Sequence, residues 1–163
     1  MLYMIQLLLS DNNRSISAGL TFIKAETSNG NEYIQKYLIK NRGIPLLISL
    51  SRDKRYTEDC IQILLGLSLD PNYKISLISQ ACQSLCFSFL IEGFENNKDN
   101  QIICDDYAVL FQKLSNSDIS LKEAKKLKEL LNHLLEKAIF QKNEFFVRNA
   151  KSILENLDLH NEK

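Results

Sequence analysis

The sequence predicts an all-α protein, and three observations carry that prediction. Gly and Pro number five and two among 163 residues, too few for the many tight turns of an all-β chain. Apolar residues recur at helical spacing in one segment after another. Polar breaks with helix-capping chemistry separate those segments. At 45% hydrophobic residues the chain suits one domain with a sizeable core.

Met1 to Leu9 reads as a helix that is apolar nearly all round, so other structure must cover it. It lacks a basic leader and a small-residue cleavage site, and it is too short to span a bilayer. Ser10-Asp11-Asn12-Asn13 breaks the pattern, and Ser15 to Ala25 forms the next helix, with Ile16, Leu20, Ile23 and Phe22 as inward candidates. After the loop Thr27–Asn31, Glu32 to Lys40 is a short helix with Tyr33, Ile34, Tyr37 and Leu38 on or near one face. Asn41-Arg42-Gly43 ends it, with Gly43 expected to supply the left-handed turn. Ile44-Pro45 starts a helix to about Ser51, since Pro loses no hydrogen bond in a first turn.

Thr57, Glu58 and Asp59 then open a helix to Leu69, with acids favouring its N-terminus. Asp70-Pro71-Asn72 stops it, and the cycle restarts. Tyr73 to Gln80 matches Glu32 to Lys40 at an offset of about forty, pairing Ile75 with Ile34 and Ile78 with Tyr37. Ala81 to Gly93 takes the place of Ile44 to Ser51, and Gln101 to Leu114 follows as the third helix. Going backwards, Leu7 to Ser10 sits one period before Ile48 to Ser51, so the first unit is incomplete. Residues 1–118 are therefore expected to be helical repeats. Residues 119–158 hold two amphipathic helices, Ser120 to Phe140 and about Asn143 to Leu157, read as a C-terminal cap with a polar outer face. His160 to Lys163 are expected to fray.

The stretch from about Asn31 to Ser79 resembles one armadillo repeat. Asn41-Arg42-Gly43-Ile44-Pro45-Leu46-Leu47 is similar to that family's Gly-x-Ile-Pro-x-Leu-Val turn, although Gly43 here directly precedes Ile44. Ile63 to Asn72 is similar to the Ala-Leu-x-Asn-Leu end of the third helix and the start of the next unit. HEAT repeats share the spacing with two helices per unit. The resemblance implies a right-handed armadillo/HEAT-like helical solenoid whose third helices line a concave, partner-binding groove. In the importin-α and β-catenin branches, ladders of Trp, Asn or Lys occupy that groove. This chain has no Trp, and Gly66 or Ser68 stands at the ladder Asn position, which argues against a nuclear-localisation-signal receptor.

Groove chemistry would then come from third-helix residues, chiefly Asp59, Gln62, Asp105 and Asp106, together with Ser68 and Gln112. A mildly acidic groove suits a basic peptide; the plainer reading is that these acids favour helix N-termini. Ile5 and Leu8 mark a second candidate surface. An uncapped apolar end calls for a second copy, a partner or upstream sequence, unless the segment folds back into its own core.

No enzyme is expected. The sequence holds no Gly-rich phosphate loop, Ser nucleophile elbow or HExxH motif, and His133 has no acid–base partner at useful spacing. Neither a cofactor nor a metal is called for. Cys82 and Cys86 would share a helical face but have no His nearby, and all four cysteines (Cys60, Cys82, Cys86, Cys104) read as reduced core thiols. Lys plus Arg balances Asp plus Glu at 20 each, so no overall field favours nucleic acid or membrane. The lysines at 122, 125, 126 and 128 alternate with acids as a solvated face. The expectation is a cytoplasmic, or nuclear, protein- or peptide-binding scaffold or adaptor. A structural subunit of a larger assembly is the alternative, as is a cochaperone resembling the armadillo-type nucleotide-exchange factors of heat-shock chaperones. Homodimerisation through the N-terminal helix is a further possibility.

Overall fold

The computed structural model describes residues 2–159, apart from the side chains of Leu2 and Ser84. Met1 and His160–Lys163 lie outside the described residues. The described chain is all-α: Leu2–Leu8 (α1), Asn13–Ser28 (α2), Glu32–Lys40 (α3), Gly43–Leu50 (α4), Thr57–Leu69 (α5), Pro71–Ala81 (α6), Ser84–Asn96 (α7), Gln101–Leu114 (α8), Leu121–Phe140 (α9) and Glu144–Leu159 (α10). Local chemistry sets most of these starts. The side chains of Asn12, Asn31, Asp70, Asn100 and Ser120 each accept a hydrogen bond from a backbone N–H in the first turn of α2, α3, α6, α8 and α9. Asp70 both ends α5 and caps α6, with Pro71 in the first turn.

The helices pack in rows. α2, α5, α8 and α10 lie side by side in that order, and α4, α7 and α9 form a second row behind them. α1 packs on α2 as α4 packs on α5, α7 on α8 and α9 on α10, while α3 and α6 pack on each other. Thus α9 and α10 extend the same two rows.

Burial repeats with this architecture. Ile16, Gly19, Leu20, Ile23 and Thr27 of α2 are buried, and so are Thr57, Cys60, Ile61, Leu64 and Ser68, each 41 residues later in α5. Gly43, Ile44, Leu47, Ile48 and Ser51 are matched at an offset of 43 by Cys86, Phe87, Leu90, Ile91 and Phe94. An aromatic cluster of Phe87, Phe94, Tyr107, Phe111 and Phe146 fills the space between α7, α8 and α10.

A buried polar knot ties one turn to the next. The Thr57 hydroxyl lies 2.9 Å from the Ser51 carbonyl, and Asn97 Nδ2 donates to Thr57 Oγ1 at 3.2 Å and to the Gly93 carbonyl at 2.8 Å. Tyr107, fully buried, points its hydroxyl at the same Ser51 carbonyl at 3.5 Å. Burying these groups without partners would be costly, so their pairing fixes how α4–α5 sits on α7–α8.

Four expectations need correction. Ile75 is 77% exposed; the residues of α6 that match Ile34 and Leu38 are Tyr73 and Leu77, at an offset of 39, because these are the ones turned to α3 and the core. In the N-terminal segment Leu8 corresponds to Ile48, both buried, one residue away from the expected register. Gly43 is not left-handed: Arg42 takes that turn at φ 57°, and Gly43 is helical. Glycine is needed there because a Cβ would stand 2.7 Å from Leu38 Cδ2 and 2.9 Å from its carbonyl oxygen. Finally, Cys82 caps the end of α6 while Cys86 lies in α7, so the two do not share one helix.

Candidate functional site

The row α2–α5–α8–α10 presents the side chains singled out in the sequence. Lys24 Nζ of α2 donates to Asp59 Oδ1 of α5 at 2.8 Å. Gln62 and Glu58 of α5 both lie close enough to the Asp106 carboxylate of α8 to act on its ionisation. Asp105 accepts from Asn143 Nδ2 at 2.9 Å, and Gln112 Nε2 donates to Ser152 Oγ of α10 at 3.4 Å. The two residues in each of these five pairs are separated by 35–48 positions in the chain. They recur because each helix meets the equivalent helix of the next unit.

Asp106 is the strained member. It is half-buried, and its Oδ2 is shielded from solvent without a hydrogen-bond partner. Burial pushes its carboxyl above the usual aspartate range, with Asp105 and Glu58 adding to the rise while Gln62 and Lys24 oppose it. Asp59, Gln62, Asp105 and Asp106 therefore lie on one row, with Glu58 and Lys24, which the sequence reading did not single out, among them. Their spacing along two predicted helices was the only available signal. Ser68 is turned into the core, where its hydroxyl donates to the Leu65 carbonyl at 2.6 Å. Gly66 leaves a notch beside Thr27, since a Cβ there would meet only Thr27 Oγ1 at 4.0 Å.

Ile5 and Leu8 sit elsewhere. Met4 and Leu8 are in the core, where Leu8 Cδ2 lies near Gly19 of α2, and Ile5 is half-buried against that core. Leu8 is thus unavailable to a partner, because the α1 face that carries it is the one packed on α2. Tyr3 and Leu9 are the exposed apolar residues among the described side chains of this segment. Phe145 and Phe146 divide as adjacent helical residues must, Phe146 in the core and Phe145 outside.

The cysteines are free thiols: Cys60, Cys86 and Cys104 are buried and Cys82 is half-buried. Burial pushes the Cys104 thiol up to about 11 and that of Cys60 further, which suppresses thiolate at neutral pH. Among the described residues no His/Cys/Asp/Glu group is arranged to hold a metal ion. No single helix among them is long and apolar enough to cross a membrane, and α6 with α7 reaches that length only across a 91° bend. Compared with protein-family models, with curated proteins and with solved structures, the chain matched none.

Proposed function

We propose that the chain is a non-enzymatic protein-binding scaffold, built as a short right-handed armadillo-like solenoid, that takes a basic peptide along the α2–α5–α8–α10 row. In this reading α3–α4–α5 and α6–α7–α8 are complete units, and α1–α2 and α9–α10 are units without a first helix. The recurrence of burial between α2 and α5 and between α4 and α7 supports the solenoid.

The observation that carries the binding reading is Asp106. A half-buried carboxylate with one oxygen lacking a donor, and with Asp105 and Glu58 close enough to add negative charge, gains most from an incoming guanidinium or ammonium. The high pKa values of the buried thiols and the outward position of His133 support a binding role over catalysis.

Fluorescence anisotropy with labelled Arg/Lys-rich peptides, beside Asp/Glu-rich peptides of equal length, tests this. Asp106→Lys and Asp59→Lys are each expected to weaken the basic peptide about tenfold, a loss of about 1.4 kcal/mol. Added salt should weaken it further. Equal binding of both peptide classes, or binding indifferent to both substitutions in folded protein, would refute the proposal.

A further inference from the structure

The turn between α9 and α10 builds a second surface, far in the chain from the acidic cluster. α9 ends with Asn143 N–H donating to the Ala138 carbonyl at 2.9 Å and Lys142 N–H to that of Ile139 at 3.1 Å. Lys142 itself is left-handed, φ 56°, at a position that ordinarily favours glycine. Asn143 then starts α10 by accepting from Phe146 N–H at 3.0 Å. This tight reversal sets the last turn of α9 beside the first two turns of α10 and leaves a groove between them.

The groove has an apolar floor of Ala138, Ile139 and Val147, and a rim of Lys142, Arg148 and Lys151 with one acid, Glu144. Ile139 is 57% exposed, although it directly follows a buried residue of the core face. Three of the five lysines of α9 are neutralised by other elements, while Lys122 and Lys125, like the rim cations, enter no ion pair among the described residues. Lys126, Lys128 and Lys137 each pair with a carboxylate, of Glu95, Asp158 and Asp99 respectively. Among the described residues, Lys142, Arg148 and Lys151 form no ion pair. An apolar floor under three unneutralised cations is complementary to a segment that is itself apolar and acidic.

We propose that this groove docks an acidic, amphipathic segment of a partner protein. One or two helical turns would lay Leu, Ile or Phe on Ile139 and Val147 and place Asp or Glu against Lys142, Arg148 and Lys151. The concavity between two helix ends fits protruding side chains better than a flat lipid surface. The chain's zero net charge also supplies no long-range pull toward an anionic bilayer.

The test is selection of displayed random peptides of about sixteen residues on the immobilised full chain, followed by anisotropy with the enriched peptides made synthetically. The expected winners alternate Asp or Glu with Leu or Phe at three- and four-residue spacing. Their affinity should fall about tenfold in Arg148→Glu and in Lys151→Glu, and binding should be lost in Ile139→Asp, with circular dichroism unchanged. Lys142→Gly separates binding from folding: relief of the left-handed strain should raise the thermal midpoint by about 2–4 °C while affinity falls.

Winners without acidic residues, or binding indifferent to these substitutions in folded protein, would overturn the proposal. So would peptides lost in Asp106→Lys but retained in Lys151→Glu, since they occupy the acidic row instead. Sedimentation with phosphatidylserine vesicles that disappears in Lys151→Glu, with no peptide enriched, overturns it in favour of a membrane surface. A dimer in light scattering that Ile139→Asp dissolves, again with no peptide enriched, overturns it in favour of a second copy.

Discussion

The polar knot between α4–α5 and α7–α8 makes a prediction at Gly93 that runs against helix propensity. In the middle of a helix, Gly→Ala ordinarily stabilises by about 1 kcal/mol. At Gly93 the new Cβ would lie 2.2 Å from the Tyr107 hydroxyl, 3.3 Å from Tyr107 Cζ and 2.9 Å from the Ser51 carbonyl oxygen. Tyr107 is fully buried and stacked on Phe94 and Phe111, so its ring has nowhere to retreat. Overpacking costs roughly 1–3 kcal/mol, and a buried hydroxyl driven off its acceptor about 1–3 more. After the propensity gain, Gly93→Ala should cost about 1–5 kcal/mol. At Gly66, also inside a helix, the Cβ meets nothing closer than 4.0 Å, so the same substitution should stabilise by about 0.5–1 kcal/mol. Urea unfolding followed by circular dichroism at 222 nm measures both. Adding Tyr107→Phe to Gly93→Ala should recover part of the loss, since the hydroxyl makes the closest contact. Shifts of the same sign at the two glycines, or no recovery in the double variant, would refute the packing argument.

Three further expectations follow from burial. Leu77→Ala should cost about 2–5 kcal/mol, while Ile75→Ser stays within about 0.5 kcal/mol; comparable losses in urea unfolding would show that the 39-residue register is wrong. Native iodoacetamide labelling mapped by mass spectrometry should find Cys82 first and reach Cys60 and Cys104 only on unfolding. Simultaneous labelling of all three would contradict their burial. Burial raises the Asp106 carboxyl above the ordinary aspartate pKa, so its protonated form is the one folding favours. Its contribution to stability is full below that value and is lost as pH rises through the folded-state pKa. Asp106→Asn should therefore be more stable than the wild type at neutral pH, with the difference vanishing toward strongly acid pH. A difference that grows on acidification would invert the assignment.

Where the sequence carries strong punctuation, the helices fall as the pattern predicts. α5 begins at Thr57 behind a charged loop and ends where Asp70-Pro71 cannot extend it; α8 begins where Asn100 caps it. The errors come from places where packing decides. The α6–α7 break at Cys82-Gln83 contains neither Gly nor Pro, so the pattern ran on and placed α7 three residues early. Gly43 looked like a turn residue because Gly after a helix usually is. In fact the close approach to Leu38 requires glycine, and Arg42 takes the left-handed turn at a cost of about 1–2 kcal/mol. Register between units was misjudged by one or two residues, since a period of about forty does not say which apolar residue meets the core. The same limit hid the site. Asp59, Gln62, Asp105 and Asp106 were legible as helix-surface residues, but their partners Lys24 and Asn143 lie a repeat away in sequence, and only the helix row brings them together.

Twenty cations against twenty anions exclude a strong global field but leave room for local ones. Fields at a surface decay within about 8–10 Å at physiological salt, so what a partner senses is the local arrangement and not the sum. Along α5 and α8, Glu58 and Asp105 lie close to the carboxylate of Asp106, with the Lys24–Asp59 ion pair on the same row. At the α9–α10 turn Lys142, Arg148 and Lys151, without an ion pair among the described residues, border an apolar floor. Opposite local charge on a neutral chain is what a scaffold needs to hold two unlike segments at once. It also ties the two proposals to separate substitutions: loss at Asp106 should leave the acidic peptide bound, and loss at Lys151 should leave the basic one bound. If either substitution released both peptides from folded protein, the two surfaces would be one coupled site and the division of labour argued here would fail.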